Sequence, residues 1–353
     1  PPRPSLRIVA DMIEWCYQEM PKWHPVSISG YHIREAGSTA PQELAFTLAD
    51  GFAYVEAALA RGMKVDDFAP RLSFFFNSHI DFFEEICKFR AARRLWARWM
   101  RDRYGAQDPR SQMLRFHTQT AGCSLTMSQP ENNIVRTTVE ALAGVLGGTQ
   151  SLHTNSMDEV YALPTESAAE IALRTQQILA YETGVASVID PLGGSYFIES
   201  LTDEVERLAE DYLKKIDEMG SGSMLEGVVR GIENNYFQKE IADAAYEYER
   251  QVVSGRRVVV GVNAFTESAR PPIEILRIDD DAEIKQQKRL AEVKASRDPK
   301  TLEVSLKKVE ESARQGSNLM PPIIEAVRAQ ATIGEIMETL AKVFGRYVED
   351  PVL

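Results

Sequence analysis

Through its first two hundred residues the chain alternates short apolar runs with longer stretches in which apolar residues recur every three or four positions. Short runs bounded by turn residues predict strands, and the longer periodic stretches predict amphipathic helices, so the alternation predicts βα units and a parallel sheet. Four strands are expected at 26–31, 71–77, 114–120 and 151–155. Helices are expected at 41–60, where Leu44, Leu48, Phe52, Val55 and Leu59 make the apolar stripe, and at 80–104, 131–146 and 165–182; a further helix over 5–19 precedes the first strand. After Asp190 the texture changes. The turn Asp190-Pro-Leu-Gly-Gly leads through 196–199 into a helix that Thr202 could cap, with Val205, Leu208, Tyr212 and Ile216 as its buried stripe. A Gly/Ser break at 220–223 separates further helices, 257–265 reads as a lone strand, and the charged stretch 278–299 reads as a solvated helix or linker. Thr332 and Glu335 form a capping box for a last helix ending near Gly345.

Alternate positions within the strands are polar, which a parallel strand buried on both faces does not show. Arg71, Ser73 and Asn77 share one face of the second strand, opposite Leu72, Phe74 and Phe76; Arg115, His117 and Gln119 share a face of the third. Ser151, His153 and Asn155 repeat the pattern in the fourth strand, and Ser27 and Ser29 in the first. The apolar face packs on the helices, leaving the polar face to line a lumen. Unpartnered hydrogen-bonding groups in such a lumen cost about 1–3 kcal/mol each, and a long polar ligand threading it would satisfy them. The alternative is a strand face open to water.

Composition narrows the function classes. The 353 residues are 44% hydrophobic and 26% charged with a formal charge of −12, which fits a globular protein and opposes general nucleic-acid binding. No apolar run reaches membrane-spanning length. Cys16, Cys87 and Cys123 are too widely spaced for a disulfide framework or a zinc pattern, so a reducing compartment is expected. None of the five histidines has metal-ligand spacing, and no phosphate-binding glycine loop or nucleophile elbow occurs. His32 follows Tyr31 at the end of a parallel strand, where barrel active sites are built; a structural role is the alternative. Arg71 inside a strand needs an anion, a carboxylate or a ligand phosphate. The arginines at 90, 93, 94, 98 and 101 read as a solvated helix face.

Several runs then fall together. SISGYHIREAGSTA (27–40), RLSFFFN (71–77), KFRAARRLWA (88–97), RFHTQTAG (115–122), SLHTNSMDE (151–159), DPLGGSYFIESLT (190–202) and TIGEIMETLAKVFG (332–345) resemble, in this order, the acyl-CoA mutases related to methylmalonyl-CoA mutase. The resemblance covers nearly the whole chain. It implies an α/β fold: the second half of a parallel (βα) TIM-type barrel over 1–200, threaded by coenzyme A, followed by a mostly helical extension and linker over 201–353. It also implies adenosylcobalamin, with the corrin over one end of the barrel and an adenosyl radical that takes a substrate hydrogen. Residue by residue, His32 resembles the histidine that hydrogen-bonds the thioester carbonyl, and Tyr31 its neighbour against substrate and cofactor. Arg71 and Ser73 resemble contacts to the coenzyme A chain and its phosphates, and Gln119 and Gln150 further polar contacts in the substrate channel. His117 and Gly122 match positions near the corrin, and Asn155 and Glu159 the pair that holds the adenosyl ribose.

The resemblance also implies what lies elsewhere. Four βα units are half a barrel, and the chain opens on Pro-Pro-Arg-Pro rather than Met, so the start reads as a cut through the middle of an enzyme domain. No histidine has an aspartate two positions before it, so the cobalt-ligating Asp-x-His-x-x-Gly is expected on another chain or domain. The expected partners are an acyl-CoA, the N-terminal half of the barrel and a cobalamin-binding small subunit, in a heterotetramer of two large and two small subunits, with a cytoplasmic location of bacterial or archaeal type ahead of the mitochondrial matrix. Methylmalonyl-CoA is the first substrate reading, with isobutyryl-CoA and 2-hydroxyisobutyryl-CoA as rivals; HIREAG in place of HMQEAG tilts toward the two-subunit relatives. From other classes, a non-catalytic module that docks partner chains and a cobalamin-independent lyase or aldolase remain open.

Overall fold

The computed structural model describes residues 1–266, 273–279 and 281–349. In chain order the first elements are α1 (Pro2–Glu19), β1 (Ser27–Ser29), α2 (Tyr31–Glu35), α3 (Ala40–Leu59), α4 (Val65–Phe68), β2 (Ser73–Ser78) and α5 (Phe82–Asp102). Next come α6 (Pro109–Gln112), β3 (Phe116–Thr120), α7 (Asn132–Leu146), β4 (Ser151–His153) and α8 (Glu166–Tyr181). The rest is helical: α9 (Tyr196–Met219), α10 (Met224–Glu233), α11 (Tyr236–Val253), α12 (Asp281–Ser296), α13 (Pro299–Gln315), α14 (Met320–Arg328) and α15 (Ile333–Phe344). Two compact units result. One gathers Pro1–Pro25, Ala57–Met63 and the described residues from Arg277 onward; the other gathers Val26–Glu56 and Lys64–Leu276, so residue 200 falls inside the second.

The larger unit is built on a parallel sheet in the order β1-β2-β3-β4, open after β4. Register stacks the strands in layers: Ser29, Phe75, His117 and Ser151 make one row, and Asn77, Gln119 and His153 the next. The other face carries Ile28, Phe74, Phe76 and Phe116, all buried. Phe74 meets Trp96 edge-on at 4.9 Å, Phe52 stacks on Trp96 at 5.3 Å, and Phe89 stacks on Phe116 at 5.1 Å. Each such side chain contributes about 1.5–3 kcal/mol by leaving water, which is why α3 and α5 lie on this face. The other side of the sheet is the polar one, as the alternation predicts.

α9 runs along α5, and the arginine row on α5 is paired rather than solvated. Arg90 holds Glu199 at 2.6 Å and also Asp190, Arg94 holds Asp203 at 2.8 Å, and Arg98 takes Glu206 and Glu210 at 2.6 Å each. Arg93 donates to the Gly147 carbonyl, and Arg94 and Arg101 keep the exposed setting that the sequence predicts. Thr202 is no cap: it lies buried inside α9 and donates to the Ile198 carbonyl at 2.7 Å, while Ser195 precedes the helix. The expected strand over 257–265 is a turn. Asn263 accepts from Val259 N at 2.7 Å and donates to the Arg257 and Val252 carbonyls, folding the segment on itself around a single bridge, Val260 to Ala264.

In the smaller unit Val309, Ala313, Leu319, Ala326, Ile336 and Leu340 form the core. Arg7 of α1 closes the end of α13 by donating to the carbonyls of Ala313 at 2.8 Å and Ser317 at 2.9 Å, and Asp11 accepts Leu319 N at 3.2 Å. The capping box of Thr332 and Glu335 opens α15, and Gly345 ends it, as expected. The charged stretch over 278–299 holds α12, which buries none of its residues; residue 280 lies outside the described set.

Candidate functional site

Parallel pairing places every strand start on one edge of the polar face and every strand end on the other, and this sorts the candidate residues into two groups. At the N-terminal edge Arg71 closes a 3-10 turn, Ala69–Arg71, and β2 begins two residues later, so Arg71 is beside the strand and not inside it. Arg71 makes no ion pair among the described residues. Arg115 lies next to it and donates to the Pro70 carbonyl; burial, then Arg71 and Arg110, pull the Arg115 guanidinium below its usual value. Asp66 shapes the turn that carries Arg110 by accepting Gln107 N at 3.0 Å and Ser111 Oγ at 2.7 Å. Arg110 is paired with Asp108 at 2.8 Å, whereas Arg71 and Arg115 have no carboxylate partner among the described residues, and cations so placed form a site for an anion.

Further along the face Ser73, Phe75, His117 and Ser151 follow. His117 Nδ1 lies 2.6 Å from Ser151 Oγ and its ring meets Phe75 edge-on at 4.9 Å. Burial, then His153, lowers the His117 pKa, so the face presents neutral imidazoles at neutral pH. Gln150 is placed differently from its expected role. Its side chain accepts Phe116 N at 2.6 Å and donates to the Gly148 carbonyl at 2.9 Å, so its amide is engaged with backbone at the start of β3.

The C-terminal edge gathers the rest. Tyr31 opens α2 instead of ending β1, because the chain leaves the sheet at Gly30; a Cβ there would sit 1.9 Å from Thr47 Oγ1 of α3, so only glycine lets the turn lie this close. Tyr31 stacks on Phe75 at 5.1 Å and its hydroxyl accepts Gln119 Nε2 at 2.9 Å. The same Gln119 amide donates to Asn155 Oδ1 at 2.8 Å, and Asn155 Nδ2 donates to the Thr120 carbonyl at 2.9 Å. Burial, then Glu35, raises the Tyr31 phenol far above its ordinary value, so it stays a hydroxyl. His32 is exposed on this edge, with its pKa lowered by burial of the ring. Glu159 is exposed beyond Asn155, its carboxyl raised first by burial, then by Glu35 and Asp158.

Glu35, not singled out by the sequence, is at the centre of this edge. Its Oε1 accepts Asn77 Nδ2 at 2.7 Å and Gly122 N at 2.8 Å, and its Oε2 accepts Cys123 N at 2.9 Å. The signal that could have found it is its place four residues after Tyr31 on one helical turn, which puts both on the same face. At Gly122 a Cβ would meet Glu35 Oε2 at 3.1 Å and Asn155 Nδ2 at 3.4 Å, so glycine lets these two side chains close against the backbone there.

A family model described as methylmalonyl-CoA mutase matches residues 1–346. The chain is 49% identical over 354 residues to the 2-hydroxyisobutanoyl-CoA mutase large subunit of Aquincola tertiaricarbonis, which covers 100% of this chain and 62% of that protein. It is 48% identical to the methylmalonyl-CoA mutase of Rhizobium meliloti (strain 1021), over 99% of this chain and 49% of that one. To the methylmalonyl-CoA mutase large subunit of Propionibacterium freudenreichii subsp. shermanii it is 42% identical, over 98% and 48%. The chain thus spans about half to three-fifths of the length of these relatives. Parallel βα units, layered polar strands and a match that runs almost end to end agree: the chain belongs to the methylmalonyl-CoA mutase family.

Proposed function

We propose that the chain is the second half of the substrate-binding barrel of an adenosylcobalamin-dependent acyl-CoA mutase, which interconverts branched and linear acyl-CoA thioesters by a 1,2 shift of the carbonyl-CoA group. The observation that carries it is one polar sheet face with unpaired arginines at its N-terminal edge and a hydroxyl, imidazole and carboxylate set at the other. Arg71, with Arg115 and Arg110 beside it, would take the phosphates of coenzyme A, and Ser73 the chain that leads inward. His32, neutral at neutral pH, would donate a hydrogen bond to the thioester carbonyl, which gains electron density as the group migrates. Tyr31 would flank the reacting carbons, held in place by Gln119.

The C-terminal edge fits adenosylcobalamin. Glu159 is the exposed carboxylate here and offers the acceptor that a ribose diol needs, Asn155 would back it from the buried side, and His117 lies on the same face. When bound, this group supplies reversible bond homolysis and hydrogen-atom transfer, and the chain's part is to orient the substrate and exclude water. The cobalt ligand would come from another chain or domain.

Both sheet edges, β1 and β4, lack an outer partner strand among the described residues. They suit pairing with the N-terminal half of the barrel, which leaves residues 1–200 as half-barrel and 201–353 as extension and linker toward a cobalamin-binding small subunit. A heterotetramer of two large and two small subunits and a cytoplasmic location complete the reading; no helix of the described residues is long and apolar enough to cross a membrane. Methylmalonyl-CoA is the substrate favoured, with isobutyryl-CoA and 2-hydroxyisobutyryl-CoA as the other members of the set. The test is isotope-traced rearrangement of each acyl-CoA by the full-length enzyme with its small subunit and adenosylcobalamin. Cobalamin-dependent carbon-skeleton rearrangement is the expected outcome. No rearrangement of any of the three would leave a docking module, and cobalamin-independent cleavage a lyase.

A further inference from the structure

Behind the polar face lies a charged cluster that none of the chemistry above uses. β1 leaves the sheet after Ser29, so the edge of β2 that faced it runs on unpaired, and at Asn77 both the N–H and the C=O point to where a strand is missing. Two side chains take the strand's place. Glu43 of α3 accepts Asn77 N at 2.7 Å, and Lys88 of α5 donates to the Asn77 carbonyl at 2.7 Å. Lys88 and Glu43 are themselves paired at 2.6 Å, and Lys88 also contacts Glu85; all three side chains are fully buried. Arg34 of α2 closes the cluster from the other side, 3.5 Å from Glu85. Burial pushes the Glu43 carboxyl up, whereas at Glu85 Lys88 and Arg34 outweigh burial and hold it down.

A buried ion cluster adds little net stability over apolar residues of the same volume. Its consequence here is geometric. With its backbone gripped on both sides, Asn77 has its side chain directed at Glu35, and Glu35 ties the last turn of α2 to the backbone of Gly122 and Cys123 after β3. Tyr31 and His32 lie one turn earlier on α2. The rotation of that short helix is therefore set from the core, through Asn77, not by its own single turn of hydrogen bonds.

We propose that Asn77 and Glu35 form a clasp, braced by Lys88 and Glu43, whose function is to position Tyr31 and His32 for the reaction. The catalytic consequence rests on the acyl-CoA mutase reading; the clasp itself does not, and the two are separable by experiment. Cys123 reports on the clasp without any ligand. The residue is exposed while Cys16 and Cys87 are buried, but its sulfur is turned inward, where burial, then Glu35, pushes the thiol up to about 12.

The variant is Asn77→Ala in the full-length enzyme, with alkylation of Cys123 by iodoacetamide followed by peptide mass spectrometry in ligand-free protein, and steady-state kinetics in the assembled one. Alkylation should become severalfold faster as Glu35 and the loop are released. In the same variant kcat should fall roughly 10–100-fold, the scale of a small misplacement of reacting groups, while KM for the acyl-CoA holds. An unchanged alkylation rate overturns the clasp, and faster alkylation with unchanged kcat overturns its positioning role. Faster alkylation in an enzyme that shows no rearrangement even unsubstituted supports the clasp and removes the mutase reading instead. Should Asn77→Ala not fold, Glu35→Gln tests the same link, since its amide opposes the Cys123 N–H with a second donor.

Discussion

Arg71 and His32 stand at opposite ends of the same strands, so their loss should damage different constants. Arg71→Ala removes a cation that no carboxylate among the described residues neutralises, and a charge-assisted contact to phosphate is about twice as strong as a neutral one. Coenzyme A binding should weaken roughly 10–100-fold, read by calorimetric titration of the assembled enzyme, and an unchanged Kd would remove the phosphate contact. His32→Ala should leave that Kd within about twofold and lower kcat by roughly 10²–10³, the scale of losing one preorganised donor to a developing charge. Full turnover in this variant would refute the carbonyl contact. A second test separates ring charge from ring shape. Burial lowers the His32 pKa below 6.5, so the neutral imidazole persists into mildly acidic solution, and kcat should fall only below that value as a second N–H is gained.

Among elements the clearest dependence is that of α10 on a residue from α3. Glu56 accepts Ser223 Oγ at 2.8 Å, Met224 N at 3.1 Å and Leu225 N at 2.9 Å, so it closes the first turn of α10 from outside, and it also takes Tyr104 Oη at 3.0 Å and Arg103 at 3.1 Å. Glu56→Ala leaves these donors without their acceptor and should cost about 2–3 kcal/mol, measured by urea unfolding; a loss near zero would mean that water replaces the carboxylate without penalty. Such cross-element caps are what the sequence hides. Strand alternation and helix periodicity placed β1–β4 and the long helices α3, α5 and α7 to within two or three residues, because faces and periods are local properties, whereas α2, α4 and α6 are too short to show a period. The errors are local signals with a second answer, in the neighbouring turn for Thr202 and the 257–265 segment and on another helix for the α5 arginines. Thr202 looks like a cap until Ile198 is seen to continue the stripe toward Ser195, and the valines at 258–260 favour a strand until Asn263 folds them over. The α5 arginines look solvated until Glu199, Asp203, Glu206 and Glu210 line up beside them at matching spacing. The site shows the same division. The motifs single out Tyr31, Gln119 and Asn155, which the structure brings together; Glu35 shares a helix face with Tyr31 but its tie to Asn77, like those of Glu43 and Lys88, is a contact between elements.

At the scale of the whole molecule, titrating groups of opposite sense lie buried around one sheet, and together they fix how stability responds to pH. Glu140 of α7 is fully buried; its Oε1 accepts Ser124 Oγ at 2.5 Å and its Oε2 has no partner among the described residues. Burial raises its pKa well above 4.5, with Glu85 and Glu35 adding to the rise and Ser124 opposing it. The folded state therefore keeps a proton that the unfolded chain has released, so this group's contribution is complete below about 4.5 and declines as pH rises from there toward the folded value. His79 acts in the reverse sense. It is buried against Tyr248, and burial, then Arg34 and Lys88, pushes it down to about 3 against the pull of Glu85. The unfolded chain takes up this proton first, so stability falls as pH drops from about 6.5 toward 3. A maximum should lie between the two limbs; Glu43 and Asp50, whose carboxyls burial also raises, share the alkaline limb with Glu140, and carboxyls held down by their partners, Glu335 among them, share the acid limb with His79. Glu140→Gln, which keeps the shape of the neutral acid, should flatten the decline on the alkaline side and leave the acid limb as it was. His79→Phe should flatten the acid limb alone. Urea unfolding midpoints across the pH range, for the unsubstituted chain and both variants, would read the slopes directly. An alkaline limb that keeps its slope in Glu140→Gln would mean that the proton is held elsewhere, with Glu43 and Asp50, whose carboxyls burial also raises, as the next groups to replace.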